Sequence, residues 1–164
     1  MKLDSLMKLY VHELKDLFSA ENQLVDALPK MVKAANDEDL KTAFKEHLTE
    51  TEKQIQRLEK IFAQLEFEPG GHKCAGMEGL ITEGEHLMKS EISPNVLDAA
   101  LIAAAQRVEH YEMAGYGTAR TYAEKLGRHE DADLLQETLN EEGHADQLLS
   151  RLAERRINFL AMNK

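Results

Sequence analysis

Residues 69–94 read PGGHKCAGMEGLITEGEHLMKSEISP, and the topology turns on them. Pro69-Gly70-Gly71 closes one helical pattern, because proline and glycine both oppose helix continuation. Ser93-Pro94 opens the next, with proline near the first turn, where its missing amide is not needed. Between the two breaks lies one shorter amphipathic piece, Met77 to Lys89. A link of this length is a crossover rather than a hairpin turn. A plain up-and-down helical bundle needs a short link at this point, so a crossover here sets the topology apart from it.

Outward from the crossover, apolar residues recur with period 3.6, and β-branched runs of period two are absent. Upstream, Leu6, Leu9, Leu14, Leu17, Leu24, Leu28 and Met31 predict a first helix from about Asp4 to Ala35, with Asp4 or Ser5 as its N-cap. Pro29 removes the amide that would bond the Val25 carbonyl, which predicts a kink. Leu40, Phe44, Leu48, Ile55, Leu58, Ile61 and Leu65 predict a second helix from about Asp37 to Leu65. The Asn36-Asp37 turn is so short that the two must be antiparallel neighbours. Downstream, a third helix runs from Ser93-Pro94 to about Leu126 and stops at Gly127. A fourth spans about Glu130 to Ala161, along Leu134, Leu135, Leu139, Leu149 and Leu152. Each long helix has roughly 30 residues and extends about 45 Å. The reading is all-α: a single ferritin-like domain over 1–164, an antiparallel four-helix bundle with a short extra helix in the crossover between helices two and three.

Composition narrows the partners. Twenty Lys+Arg against thirty Asp+Glu give a net charge of −10, which disfavours nucleic acid and anionic membranes. The single cysteine, Cys74, excludes an intramolecular disulfide and any multi-cysteine metal site, and no thiolate-activating pattern surrounds it. The longest apolar run, Ala99 to Ala105, is too short to span a bilayer, and the N-terminus carries charges where a signal peptide needs an apolar core. A reduced cytoplasmic protein is expected.

The chemistry lies in acids that interrupt the apolar stripes. Helix one reads Leu14, Leu17, Glu21, Leu24, Leu28; helix two reads Phe44, His47, Glu50, Gln54, Leu58. Helix three carries Glu109 and Glu112 one turn apart, and helix four reads Leu135, Leu139, Glu142, Asp146, Leu149. A lone buried carboxylate costs several kcal/mol, so four helices doing this together need a common compensator. Two divalent metal ions supply it, and hard oxygen donors with one or two imidazoles suit iron first, manganese second. Register agrees: Glu21 lies 15 residues before Asn36 and Glu50 lies 14 after it, while Glu112 and Glu142 lie 15 on either side of Gly127. The leading ligand set is Glu21, Glu50, Glu109 or Glu112, and Glu142. His47, Gln54, Glu141, His144 and Asp146 form a second tier, with His47 either a ligand or a donor to a ligand carboxylate. Glu141-x-x-His144 has the Glu-x-x-His spacing of dimetal bundles, but His47 precedes Glu50, the reverse order. The plain alternative for any one acid is a solvated place at the edge of its stripe. Tyr111 and Tyr116 read as core phenols whose hydroxyls find partners.

Several stretches together resemble the YciF family of bacterial ferritin-like proteins. They are Ser19-Ala20-Glu21-Asn22-Gln23-Leu24 with Ala27-Leu28-Pro29, His47-Leu48-Thr49-Glu50-Thr51 with Gln54, and Cys74-Ala75-Gly76-Met77-Glu78-Gly79-Leu80. Asp98 to Gln106, Val108-Glu109-His110-Tyr111-Glu112, Tyr116-Gly117-Thr118 and Leu139-Asn140-Glu141-Glu142 with Asp146 complete the set, which covers nearly the whole chain. The resemblance implies a rubrerythrin-like dimetal centre, a homodimer and an association with stress responses. It implies no reaction, and His144 lies outside the family pattern. Three functional classes follow: oxidation of ferrous iron with oxygen or peroxide, iron sequestration, and a non-catalytic stress or partner-binding bundle that metal only stabilises.

Overall fold

The computed structural model describes residues 2–162, and among them no strand occurs. Four long helices and one short one form the frame: α1 (Leu6–Ala34), α2 (Glu38–Leu65), α3 (Ala75–Lys89), α4 (Pro94–Lys125) and α5 (His129–Leu152). A π-helical turn (Ala153–Ile157) and α6 (Asn158–Met162) prolong α5 without a break. The expected crossover helix is therefore present as α3, and it lies against α4 and α1. The hairpins α1–α2 and α4–α5 are the most extensive helix pairs, and α1 meets α4 as α2 meets α5. This is an antiparallel, ferritin-like four-helix bundle.

Local chemistry sets the helix ends. Ser5 Oγ accepts from the Lys8 amide at 3.3 Å, and Asp37 Oδ1 accepts from the amides of Asp39 and Leu40 at 3.0 and 3.1 Å. The same turn is tied to α4, because buried Asp98 accepts from the amides of Asn36 and Asp37 at 2.7 and 3.0 Å. Gly127, at φ 71°, supplies the left-handed residue that turns α4 into α5. α1 runs through Pro29 and ends only at Ala34, so proline does not terminate it. The π turn has no counterpart in the apolar pattern. It buries Ala153 and Ile157 and presents Arg156 to Asp37 and Asp39 of the α1–α2 turn.

Two apolar clusters fill the bundle, one on each side of a polar layer. The first holds Leu24, Leu28, Phe44, Leu101, Val108 and Leu149; the second holds Leu14, Leu17, Leu58, Tyr116, Ala119 and Leu135. Each long helix contributes to both clusters. Its acid or histidine sits in between.

The α3 entrance packs tightly. Cys74 caps α3, its sulfur accepting from the Met77 amide at 3.4 Å. The Tyr111 hydroxyl donates to Asp16 at 2.6 Å and lies 3.0 Å from the Cys74 sulfur. A Cβ on Gly76 would sit 2.6 Å from the Tyr111 ring, which these contacts hold in place. Gly76→Ala is therefore expected to destabilise the protein by about 1–3 kcal/mol, despite the better helix propensity of alanine. A thermal melt equal to or above that of the parent protein would contradict this packing.

Candidate metal centre

The polar layer gathers one carboxylate from α1, two from α4 and one from α5, with an imidazole and an amide from α2. Glu21, Glu112 and Glu142 are 0% exposed, Glu109 is 2% and His47 5%. Ligand atoms of His47, Glu109, Glu112 and Glu142 all lie within 4.8 Å of one another. His47 Nε2 stands 3.4 Å from Glu109 Oε1, and its Nδ1 stands 4.0 Å from Glu142 Oε2. Glu21 joins the layer through Tyr116, whose buried hydroxyl donates to Glu21 Oε1.

Most of these donor atoms have no protein partner. Both oxygens of Glu112 and of Glu142, Oε2 of Glu21 and of Glu109, both ring nitrogens of His47 and Oε1 of Gln54 are buried without a hydrogen bond. Buried polar atoms are nearly always paired, so a convergence of orphans on one spot offers a place for an external partner. The orphans are carboxylate oxygens, imidazole nitrogens and one carbonyl oxygen, the donors that divalent iron or manganese takes. The residues fit a metal.

Electrostatics point the same way. Burial, reinforced by the neighbouring acids, pushes the carboxyls of Glu21, Glu109 and Glu112 well above the usual carboxylate range. Burial likewise lifts Glu142 to about 7. Burial also lowers His47 to about 4, which keeps its imidazole neutral at neutral pH and able to ligate. Tyr116, raised by burial and then by Glu21, stays a protonated donor.

The structure sorts the sequence candidates. Glu21, Glu109, Glu112 and Glu142 face the layer, so the pair on α4 contributes both members. On α2 the inner face is Phe44, His47, Thr51, Gln54 and Leu58, which puts His47 and Gln54 inside. Glu50 stands half-buried on the flank, in the wall of a cavity that reaches His47 and Glu109. Glu141 turns away: Arg57 grips it at 2.7 and 2.8 Å, and Gln54 Nε2 donates to it at 3.1 Å. Burial raises the Glu141 carboxyl, but Arg57 and Gln54 outweigh that and hold it below its usual value. Asp146 accepts from Gln106 at 3.0 Å and pairs with His110 at 3.3 Å, and His144 is exposed.

Two features escaped the sequence reading. Arg57 orients Gln54 through Glu141, so that the Gln54 carbonyl oxygen is left facing the layer. The spacing of Gln54, Arg57 and Glu141 on adjacent helices gave no linear signal for this. The Asp16–His72–Cys74–Tyr111 cluster, with His72 Nε2 at 2.8 Å from Asp16, joins residues from three parts of the chain.

No described helix is long and apolar enough to cross a membrane. A two-domain protein from Anabaena variabilis, described as containing a ferritin-like domain, superimposes at a TM-score of 0.60 with 17% identity, over 91% of this chain and 37% of that one. That likeness concerns the fold alone. YcfI from Rhodopseudomonas palustris superimposes at 0.87 with 41% identity, over 92% and 97% of the two chains. The crystal structure described as the E. coli stress protein YciF superimposes at 0.92 with 44% identity, over 95% and 99%. In sequence, Protein YciF of Escherichia coli (strain K12) is 44% identical over 165 residues, 100% of this chain and 99% of its own. Residues 5–161 match the family described as "Domain of unknown function (DUF892)". Fold, identity and length of the match agree, and the chain belongs to the DUF892 family, alongside the YciF protein of E. coli.

Proposed function

We propose that this chain is a dinuclear metal protein of the iron type, and that it oxidises ferrous iron with oxygen or peroxide. The observation that carries the proposal is the set of unpaired, buried donor atoms on Glu21, His47, Glu109, Glu112 and Glu142. Four carboxylates bring four negative charges, the number that two divalent ions neutralise. When bound, an iron pair supplies two electrons, which is what reduction of one peroxide to two waters consumes along with two protons.

The remaining work belongs to the protein. The carboxylates of α1, α4 and α5 hold the ions and favour the higher oxidation state, because hard anionic oxygens stabilise greater charge. Tyr116 fixes the rotamer of Glu21 by donating to it. Arg57 and Glu141 hold Gln54 with its carbonyl oxygen toward the layer, where it can accept from a bound water. The two apolar clusters exclude bulk water above and below, which strengthens every charge interaction in the layer.

Stopped-flow mixing of the ferrous-loaded protein with peroxide tests the reading. Ferric absorbance should rise at least about tenfold faster than in Glu112→Ala, a change of about 1.4 kcal/mol in barrier. Equal rates would place the oxidation in solution and leave the metal a structural role. Sizing chromatography separates the remaining alternative: a homodimer accords with the proposal, whereas a closed shell of many subunits would favour iron sequestration.

A further inference from the structure

The cluster of donors is not equally accessible from all sides. A cavity of about 90 Å³ opens between α2 and α5, and its wall includes Phe44, Glu46, His47, Glu50, Glu109 and His144. His47 and Glu109 form its buried end. Both nitrogens of His47 and Oε2 of Glu109 carry no hydrogen bond there. Glu21, Glu112 and Tyr116 take no part in the wall. Glu50 stands between the exposed residues at the mouth, Glu46 and His144, and the buried ligands at the end. A second cavity, between α1, α3 and α4, is lined mostly by apolar residues such as Leu24, Leu80, Ile81, Met88 and Val108; its one carboxylate, Glu85, is paired with Lys30, and none of the orphaned donors reaches it. Past that ion pair, a cation entering that way would shed its water against apolar side chains.

We infer that the α2–α5 opening is the entry route for divalent cations, and that Glu50 is the transfer carboxylate that passes a cation from solvent to His47 and Glu109. The inference rests on the metal reading above. The negative mouth raises the local cation concentration, and Glu50 replaces lost hydration before the buried donors complete the exchange. The volume holds about three waters at roughly 30 Å³ each, which is room for a partly hydrated ion or a peroxide.

Cobalt(II) binding, followed by absorbance in a stopped-flow instrument and by equilibrium stoichiometry, tests the route. Glu50→Gln should bind the same final amount as the parent protein but about tenfold more slowly, the lower end of steering effects. Ala145 also lines the α2–α5 opening and Ala104 the apolar cavity, so Ala145→Met should slow binding further and Ala104→Met should leave the rate unchanged. If Ala145→Met fails to fold, Glu50→Gln decides alone, since it is isosteric and only half-buried. Unchanged rates in Glu50→Gln and Ala145→Met, with normal binding by the parent, would overturn the route and spare the metal reading. A drop in the amount bound by Glu50→Gln would make Glu50 a resident ligand and overturn its transfer role. A parent protein that binds no cobalt would sink the metal reading itself.

Discussion

Protein produced with iron and manganese in the medium should carry about two metal ions per chain, and the Glu21→Ala, Glu142→Ala double variant should carry nearly none. The two residues come from opposite hairpins, α1–α2 and α4–α5, and both are fully buried. Removing them leaves Glu109 and Glu112, two negative charges against four positive ones. The remaining imbalance is in a layer closed by apolar clusters, where a net charge is costly. A change to a supporting residue alone typically lowers metal affinity by about 10–100-fold, so loss of two ligands should exceed that. Elemental analysis of the purified proteins reads the result directly. Equal metal content in the two proteins would mean that the buried acids are not ligands.

Stripping the metal should lower the melting temperature by about 10 °C at pH 7.5, and acidification should narrow that gap. A site held at a thousandfold above its dissociation constant adds about 4 kcal/mol, and about 1 kcal/mol moves a domain of this size by roughly 2–4 °C. The pH dependence follows from the direction of the shifts. Burial holds the carboxyls of Glu21, Glu109 and Glu112 far above their usual value of 4.5, and Glu142 at about 7. Between 4.5 and about 7, the stripped folded protein therefore binds more protons at these sites than the unfolded chain does. Its stability rises as pH falls through that window. His47 acts in the opposite sense, since burial lowers it to about 4, but one imidazole stands against four carboxyls. In the loaded protein, protons compete with metal, and stability falls with pH. Melting curves of loaded and stripped protein from pH 7.5 to 5 should converge. A stripped protein that loses stability as pH falls through this window would contradict the assignment of the buried acids.

Helix period and breakers made the bundle legible in sequence. The Pro69-Gly70-Gly71 stop and the Ser93-Pro94 start fixed the crossover, and the long helices appear within a few residues of their expected bounds, the fourth once the π turn and α6 are counted with α5. Residues that interrupt a strong apolar stripe were equally legible, which is why the inward placement of Glu21, Glu109, Glu112 and Glu142 could be read in advance. On α2 the stripe itself is polar over His47, Thr51 and Gln54, so the phase of the helix was ambiguous there. Matching depth favoured Glu50, whereas the structure buries His47 and Gln54 and leaves Glu50 at the flank. Glu141 was named in the second tier, but its turn away from the layer was hidden for another reason. Its partner Arg57 lies on a different helix, and a sequence pattern within one helix cannot report a pairing between two. The π turn at Ala153–Ile157 shifts the phase of the last helix by a backbone rearrangement that side-chain period does not encode.

A crystal structure of the metal-loaded protein, with anomalous scattering recorded at the iron and manganese edges, tests the central claim most directly. Two anomalous peaks should lie in the polar layer, within ligand distance of Glu21, His47, Glu109, Glu112 and Glu142. Peaks only at surface carboxylates, with the buried layer filled by water alone, would contradict it.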